Sequence, residues 1–224
     1  MAEQAKPPVI AVLISGSGSN LQALIDNIAT GEINATIATV ISNTPQAFGL
    51  TRAQEAGIET HALDHREYDS RELFDVAMMR IIDKAQPDLI VLAGFMRILT
   101  ADFVRRYQGK LLNIHPSLLP KYPGLNTHQR AIDAQDRAHG ATTHFVTTEL
   151  DSGPNIIQAE VPILEKDTAE LLAKRVQERE HVIYPITVKW FVEGRLRMSD
   201  NDAFLDNECL PQSGLVLDSP HTLH

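Results

Sequence analysis

Two short, continuous apolar runs constrain the fold of this chain more than any other feature. They are VIAVLIS, which begins at Val9, and DLIVLAG, which begins at Asp88. Such runs are typical of strands buried on both faces of a parallel sheet, because a strand with one wet face alternates apolar and polar residues. Parallel neighbours cannot be joined by a hairpin, so a crossover, usually a helix, must separate them.

The intervening segments have the required helical periodicity. In SNLQALIDNIA (Ser19 to Ala29) the apolar residues fall on one helical face, and Ser19 stands where a capping residue is expected. Further helices are predicted through FGLTRAQEA and over Ser70 to Ala85, and further strands in TIATVIS, ETHAL and KLLNI. This alternation predicts an α/β fold with an open, mostly parallel, twisted sheet and helices on both faces.

The pattern changes after Gly140. The segments ATTHFVTTEL and NIIQAEVPIL predict an antiparallel pair of strands around DSGP, followed by a long helix from about Thr168 to Glu193. RLRM predicts a last edge strand, and the mixed sequence from Ala203 onward predicts a loosely held tail. With no repeats and no linker, we expect one domain over residues 1–224, with a core over about 9–198 and a tail over 203–224.

Composition excludes several classes of function. The chain has 224 residues and a formal net charge of −9, so a basic surface for nucleic acid is not expected. No apolar run approaches the ~18 residues that span a membrane. The polar start MAEQAKPP is unlike a signal or transit peptide, which predicts a cytoplasmic protein. The single cysteine, Cys209, excludes internal disulfides and thiolate metal clusters, and its polar surroundings favour an ordinary tail residue.

Ligand sites in open α/β sheets lie beyond the carboxyl ends of the strands. The first segment there is SGSGSN (Ser15 to Asn20), whose glycines and helix start suit a phosphate, although a purely structural tight turn explains them equally well. Leu21 replaces the third glycine of a dinucleotide fingerprint, and the Lys-Ser/Thr of a P-loop is absent. The second segment, AGFMRIL (Ala93 to Leu99), fits either core packing or an apolar slot for a flat heterocycle.

Polar residues also lie at the end of the predicted strand KLLNI, where it enters NIHPSLLPKYPG. Asn113 and His115 precede a loop that its prolines make stiff. Considered alone, His115 is explained equally well as a buried histidine whose hydrogen bonds are all made within the protein. A rigidly held amide and imidazole, however, can stabilise a developing oxyanion. Asp151, in TELDSGP, is either an ordinary turn residue or a carboxylate partner that favours the charged form of His115.

Five motifs taken together resemble the folate-dependent formyltransferases: SGSGSNLQA, AGFMRIL, NIHPSLLPKYPG, HFVTTELDSGP and VQEREHVIYP. The similarity runs collinearly from about Val9 to Met198, and the phosphate loop with the Gln-x-x-Glu pattern resembles the phosphoribosylglycinamide formyltransferases of purine biosynthesis. The resemblance implies a Rossmann-like formyltransferase fold. It also implies transfer of the formyl group of 10-formyltetrahydrofolate, the co-substrate, to the amino group of 5-phosphoribosylglycinamide. We expect only small-molecule substrates, no metal, no nucleic acid or membrane partner, and a monomer or homodimer.

The resemblance also assigns residues. Its catalytic group is Asn113, His115 and Asp151. The nucleotide would be held by Gly18, Ser19, Asn20, Gln177, Glu178, Arg179 and Glu180, the first three at its phosphate and the last near its amino group. The folate would be bound by Arg71, Met96, Arg97, Ile98, Leu99, Asn113, Thr147, Thr148, Glu149, Leu150 and Asp151. Asn126 departs from the family, because close bacterial relatives carry histidine there.

The implied mechanism is direct transfer between two bound substrates. Asn113 and protonated His115 would stabilise the oxyanion of a tetrahedral intermediate, while Asp151 keeps His115 charged and helps to move a proton through a water. No metal and no covalent enzyme intermediate is needed.

Three alternatives are weighed against this interpretation. Formyltetrahydrofolate deformylase uses a similar trio with water as acceptor, but it normally carries an extra N-terminal domain, and only about eight residues precede the first strand here. Methionyl-tRNA formyltransferase would need a further C-terminal RNA-binding domain and a basic surface. A nucleotide-binding regulatory module would need the phosphate loop but not the amide, imidazole and carboxylate together.

Overall fold

The computed structural model describes residues 6–219 and 222–223. The chain divides into two compact units, a first unit that ends at Phe103 and a second unit that begins at Val104. Residues 1–5, 220, 221 and 224, which include the polar start and part of the predicted tail, lie outside the described residues. The prediction of a single domain over residues 1–224 stays a prediction.

The first unit contains four parallel strands in the order β4–β1–β2–β3. Its elements are β1 (Val9–Ile14), α1 (Ser19–Ala29), β2 (Thr36–Ser42), α2 (Phe48–Glu55), β3 (Glu59–Ala62), a 3-10 turn (His65–Glu67), α3 (Arg71–Ala85) and β4 (Leu89–Leu92). A short helix, α4 (Ala101–Arg106), spans the division between the units. The two apolar runs form neighbouring strands, β1 and β4, and every residue of β4 is buried. The predicted βαβ organisation is therefore confirmed.

The N-terminal caps of α3 and α1 differ in kind, and the cap of α1 differs from the prediction. Ser70 caps α3, because its hydroxyl accepts a hydrogen bond from the Leu73 N–H. The N-cap of α1 is Gly18 rather than the predicted Ser19, and it makes no side-chain cap. Gly18 has φ +70, and a Cβ added there would lie 2.5 Å from Gly49 Cα. Only glycine satisfies both the left-handed backbone and this close approach.

The second unit contains a mixed sheet in the order β12–β11–β7–β6–β5 and a small antiparallel sheet in the order β10–β9–β8. Its elements are β5 (Leu111–His115), α5 (Thr127–Asp133), β6 (Ala138–Phe145), β7 (Asn155–Pro162), α6 (Ala169–Val192), β8 (Leu196–Ser199), β9 (Asp202–Leu205), β10 (Glu208–Cys209), β11 (Leu215–Ser219) and β12 (Thr222–Leu223). Strands β5, β6 and β7 pair antiparallel. The predicted fold class, α/β with a mostly parallel sheet and antiparallel strands in the C-terminal part, is confirmed.

The long helix α6 covers the sheet of the second unit. Thr168 caps it by accepting a hydrogen bond from the Leu171 N–H, as the predicted helix start requires. The buried Tyr184 hydroxyl donates to the Leu112 carbonyl oxygen at 3.0 Å, and the Thr187 hydroxyl lies 2.8 Å from that of Thr143. Polar contacts inside an otherwise apolar interface hold the helix in one position on the sheet. None of the helices in residues 6–219 and 222–223 combines the length and apolar character that crossing a membrane requires.

The prediction of a loosely held tail is wrong for the described residues after Ala203. Strands β9 and β10 complete the small sheet with β8, so RLRM belongs to that sheet rather than to an edge of the larger one. Strand β11 adds to β7 in parallel, and Leu217 is buried. A Cβ at Gly214 would meet the Ile156 backbone at 2.8 Å, so the chain reaches the sheet through a glycine. Strand pairing holds this part of the chain in place. Such pairing cannot be recognised from the sequence of short segments of mixed polarity.

One buried hydroxyl holds the loop that follows β5. Thr142 Oγ1 accepts hydrogen bonds from the Leu119 N–H at 3.0 Å and the Gln158 side-chain amide at 3.1 Å. The same hydroxyl donates to the Ser117 carbonyl oxygen at 2.6 Å. Thr142 is fully buried, so water does not replace these bonds if they are lost. The hydroxyl therefore satisfies backbone groups of a loop that makes few regular hydrogen bonds.

We expect Thr142→Val to lower the free energy of unfolding by about 2 kcal/mol or more, because buried backbone groups lose their partner without a change in side-chain shape. Thr39→Val is the matched control. Thr39 is also buried, but its hydroxyl has no hydrogen-bond partner among the described residues, so this variant should be as stable as the parent or more stable. Urea unfolding of both variants measures the difference. Equal effects would contradict the role of Thr142.

Candidate active site

An imidazole and a carboxylate meet at the carboxyl end of β5. His115 Nδ1 lies 3.5 Å from Asp151 Oδ2, and both side chains are more than nine-tenths buried. Asp151 lies in the β6–β7 connection with φ +49, a left-handed conformation that aspartate tolerates better than most residues. Its Oδ2 also accepts the Gly124 N–H at 2.8 Å. The turn therefore folds over the strand end, as the partner interpretation of Asp151 requires.

The second ring nitrogen of His115 is also engaged. Nε2 lies 2.9 Å from the Tyr122 carbonyl oxygen. A carbonyl oxygen only accepts, so Nε2 carries a proton. Both ring nitrogens thus face acceptors of the protein, a carbonyl on one side and a carboxylate on the other.

Asn113 is held by a histidine that the sequence analysis did not single out. Its Nδ2 lies 3.1 Å from His144 Nε2, and His144 Nδ1 lies 2.9 Å from the Phe145 carbonyl oxygen. Burial lowers the pKa of His144 to about 4, so the ring is neutral near neutral pH. The Nδ1–H then donates to Phe145 and the Nε2 lone pair accepts from Asn113. One amide hydrogen fixes the side chain, and the second remains for a ligand.

Strand register explains why His144 was missed. The antiparallel pairing of β5 with β6 sets Asn113 directly opposite His144 and His115 directly opposite Thr142. His144 stands inside the motif HFVTTELDSGP. Its strand was predicted to pair with the strand that follows it, and pairing with β5 was not predicted. With the β5–β6 pair in hand, alternation alone would have placed these four side chains on one face.

Two further histidines pack together in the second unit. The rings of His128 and His139 meet edge to face with centroids 5.1 Å apart. Burial lowers the pKa of both, to about 4 for His139, and the charge of His115 contributes in the same direction. One ring nitrogen of each, His128 Nδ1 and His139 Nε2, has no hydrogen-bond partner among the described residues. Desolvation therefore favours the neutral form of both rings.

A cavity of about 430 Å³ lies in the second unit, away from the predicted catalytic trio. It is lined by Leu118, Pro120, Lys121, Tyr122, Asp136, Arg137, Ala138, His139 and Glu160. Asn113, His115 and Asp151 are not among these residues. The cavity therefore borders the loop that follows β5 without including the trio.

The predicted phosphate loop lies at the start of α1 in the first unit. The Gly49 N–H donates to the Gly16 carbonyl oxygen at 3.0 Å, and Arg52 Nε donates to the Ser17 carbonyl oxygen at 2.9 Å. These bonds hold the loop against α2. Ser19 and Asn20 form the first helical positions, where backbone N–H groups and the helix dipole favour an anion.

The predicted folate segment of the first unit is anchored by its backbone. The Met96 N–H donates to Ser15 Oγ at 2.7 Å, and the Ser15 hydroxyl donates to Asn43 Oδ1. The side chains of Met96 and Ile98 are mostly exposed, at 68% and 54%. This exposure contradicts core packing as the explanation of AGFMRIL for these two residues and leaves apolar surface that a ligand can cover.

A buried carboxylate lies near two other residues of the first unit that were predicted to bind folate. Asp75 accepts the Thr100 N–H at 2.7 Å, and burial raises the pKa of its carboxyl group. The positive charges of Arg97 and Arg71 act on Asp75 in the opposite direction. Arg97 also lies over the Phe74 ring, 5.1 Å from its centroid. The structure thus brings Arg71 and Arg97 to one acidic group.

The remaining predicted residues of the second unit lie on α6, on the turn and at the start of α5. Gln177 to Glu180 occupy the first half of α6, with the first two exposed and the last two half-buried. Thr147 to Leu150 precede Asp151 in the turn and are exposed or half-buried. Asn126 is the exposed N-cap of α5, with φ 57 and no side-chain cap. Among the described residues, no three His, Cys, Asp or Glu side chains are placed to hold a metal ion.

The buried histidines predict an acid-sensitive fold. Burial lowers the pKa of His139 in the folded chain to about 4, from an ordinary value of 6.5. Between pH 4 and pH 6.5 the unfolded chain therefore binds a proton at this residue that the folded chain does not bind. The free energy of unfolding should therefore fall as the pH drops through this window, by at most about 1.4 kcal/mol per pH unit for one proton. His139→Gln cannot titrate, so its stability should fall less steeply.

Urea unfolding at several pH values between about 4 and 7 measures these slopes. Thr39→Val, which changes no titratable group, should keep the parent slope. An identical slope in His139→Gln and the parent would contradict a neutral, buried His139 in the folded chain.

Comparison with known proteins gives the family. Residues 9–188 match the family model described as formyl transferase. The phosphoribosylglycinamide formyltransferase of Escherichia coli (strain K12) is 54% identical over 209 residues, which cover 93% of this chain and 99% of the relative. The structure of the phosphoribosylglycinamide formyltransferase of Coxiella burnetii is 50% identical, with a TM-score of 0.90 over 94% of this chain and 99% of that chain.

A more distant neighbour is the formyltetrahydrofolate deformylase of Pseudomonas syringae pv. tomato. It is 26% identical, with a TM-score of 0.81, and the match covers 90% of this chain but 66% of that chain. The family match spans strands and helices of both units and includes Asn113, His115 and Asp151. This chain belongs to the formyl transferase family.

Proposed function

We propose that this chain transfers the formyl group of 10-formyltetrahydrofolate to the amino group of 5-phosphoribosylglycinamide, a step of purine biosynthesis. The observation that carries the proposal is the convergence of Asn113, His115 and Asp151 at the carboxyl end of β5. The near full-length similarity to relatives named phosphoribosylglycinamide formyltransferase supports it. The products are formylglycinamide ribonucleotide and tetrahydrofolate.

The trio suits acyl transfer to an amine. As the amine attacks, negative charge develops on the formyl oxygen, and the second amide hydrogen of Asn113 donates to it. The charge of His115 lowers the energy of the same oxyanion from its position against Asp151. A bond forms between the amine nitrogen and the formyl carbon, and the bond from that carbon to the folate nitrogen breaks. The proton released by the amine moves by way of Asp151 and a water to the folate nitrogen.

Residues of both units are proposed to bind the nucleotide and the folate. We assign Gly18, Ser19 and Asn20 to the nucleotide phosphate, because the backbone N–H groups and the dipole at a helix start favour an anion. We assign Gln177 to Glu180 on α6 to the same nucleotide. The folate is assigned to Arg71, Met96, Arg97, Ile98 and Leu99 in the first unit and to Asn113, Thr147, Thr148, Glu149, Leu150 and Asp151 in the second. The assembly is a monomer or a homodimer, active in the cytoplasm without nucleic acid or membrane partner.

Deformylase activity is the alternative that the same trio could support. It differs in the acceptor, which is water instead of an amine. The 26% identity to the deformylase, against 54% and 50% to the two phosphoribosylglycinamide formyltransferases, favours formyl transfer over hydrolysis.

Formyl transfer and hydrolysis give different acceptor dependence. We expect the purified chain to consume 10-formyltetrahydrofolate only when 5-phosphoribosylglycinamide is present, because catalysis requires both reactants to be held in line. Absorbance of the folate product, followed with and without the nucleotide, measures this dependence. Consumption at the full rate without nucleotide would identify a deformylase instead.

The carboxylate of Asp151 is expected to contribute mainly to kcat. Asp151→Asn keeps the size of the side chain and an acceptor for the Gly124 N–H, but it removes the charge that faces His115. We expect kcat to fall about 10²–10³-fold with little change in KM for the nucleotide, as for loss of an electrostatic contribution to the transition state. Steady-state kinetics measure both constants.

Asp133→Asn is the matched control, because Asp133 is an exposed residue of α5 in the same unit that bonds only to Gln129 among the described residues. It should keep the parent kinetics. Full activity in Asp151→Asn would leave Asp151 as an ordinary turn residue.

A further inference from the structure

The segment of residues 121–124 touches both charged members of the trio through its backbone. The Tyr122 carbonyl oxygen accepts from His115 Nε2 at 2.9 Å, and the Gly124 N–H donates to Asp151 Oδ2 at 2.8 Å. The direct His115–Asp151 contact is longer, at 3.5 Å. Because a hydrogen bond weakens steeply beyond normal length, the Tyr122 carbonyl is the stronger anchor of the imidazole ring.

The segment is held from outside the site by one carboxylate. Asp136 Oδ2 accepts from Lys121 Nζ at 2.9 Å and from the Tyr122 hydroxyl at 2.8 Å. We call these three residues the Asp136 clamp. Both bonds lower the pKa of Asp136, which therefore stays ionised near neutral pH and makes both bonds charge-assisted.

The backbone of the segment needs such support. Tyr122 has φ +55, in the left-handed region that a bulky side chain rarely adopts without external contacts. The Ser117 hydroxyl donates to the Lys121 carbonyl oxygen at 2.6 Å, and Arg130 donates to the Pro123 carbonyl oxygen at 2.6 Å. Three side chains contact Tyr122 itself: Asp136 accepts from its hydroxyl, Arg130 lies over its ring, 5.2 Å from the centroid, and the Ser117 hydroxyl lies 3.4 Å from its carbonyl oxygen. Of these contacts, the bond within the Asp136 clamp is the short, charge-assisted one.

We propose that Asp136 is a positioning residue for formyl transfer. Through Lys121 and Tyr122 it sets the Tyr122 carbonyl against His115 Nε2, and that bond fixes the ring so that Nδ1 faces Asp151. Asp136 itself lines the 430 Å³ cavity and has no contact with the trio among the described residues. Its effect on the reaction is therefore transmitted by the position of a carbonyl group. This inference rests on the proposed function.

Steady-state kinetics of Asp136→Ala test whether Asp136 acts on the reaction through the Tyr122 carbonyl. We expect kcat to fall about tenfold, while KM for each substrate changes less than about twofold, because a misplaced catalytic group lowers the rate without removing a substrate contact. Asp136→Glu should regain part of the loss. Tyr122→Phe, which removes one bond to Asp136 and keeps the carbonyl, should show a smaller loss and guards against failure of Asp136→Ala to fold.

Asp206→Ala is the matched control. Asp206 is also a carboxylate of the second unit that accepts two short hydrogen bonds, here both from Arg195, at 2.9 and 2.7 Å. It should keep the parent kcat. Loss of kcat in both alanine variants, or a rise in KM in place of a fall in kcat for Asp136→Ala, would overturn the proposal.

A second readout does not depend on catalysis. In the parent protein, NMR of selectively labelled histidine should show a slowly exchanging Nε2–H signal for His115, because this proton is hydrogen-bonded to a buried carbonyl oxygen. The signal should be lost in Asp136→Ala and kept in Asp206→Ala. An unchanged signal in Asp136→Ala would overturn the inference even if kcat falls. A parent protein without formyl transfer would contradict the proposed function instead, and the NMR comparison would still decide the role of Asp136.

Discussion

The register between β5 and β6 is the constraint on which the site depends. One antiparallel pairing sets Asn113 opposite His144 and His115 opposite Thr142. The first pair orients the amide, and the second places Thr142 under the loop that follows β5, where it satisfies the backbone of that loop. A slip of one strand by one residue would turn its two side chains to the other face of the sheet, away from their partners. Packing of α6 on that other face, through the hydroxyls of Thr143 and Thr187, makes such a slip costly.

Burial separates the histidines of the second unit by role. His139 and His144 are buried without an anionic partner in hydrogen-bond contact, and desolvation keeps them neutral. A neutral His144 can accept a hydrogen bond from Asn113, which a charged ring could not. His115 is buried as well, but it faces the Asp151 carboxylate and the Tyr122 carbonyl oxygen. The same type of side chain thus accepts a hydrogen bond at His144 and faces an acceptor with each ring nitrogen at His115, according to its neighbours.

Much of the fold was predictable because it follows from local patterns. Continuous apolar runs identified β1 and β4, and helical periodicity identified α3. The bounds of α1 were predicted correctly, but its capping residue was misassigned by one position, because the close approach of Gly18 to Gly49 is a contact between distant segments. The tail after Ala203 was misjudged for a related reason, since its strands are stabilised by pairing with β8 and β7. Local propensity carries no information about a partner strand.

The amino-acid sequence by itself determined the α/β class and the family, and it predicted that Asn113, His115 and Asp151 act together. Hydrophobic period and motif spacing are properties of short segments, so they can be read without a structure. Tertiary structure alone decided that His144 orients Asn113 and that the Tyr122 carbonyl holds His115. Both contacts depend on distance and on the direction of a lone pair. Those quantities arise only when strand register and loop conformation bring separate segments within hydrogen-bond reach.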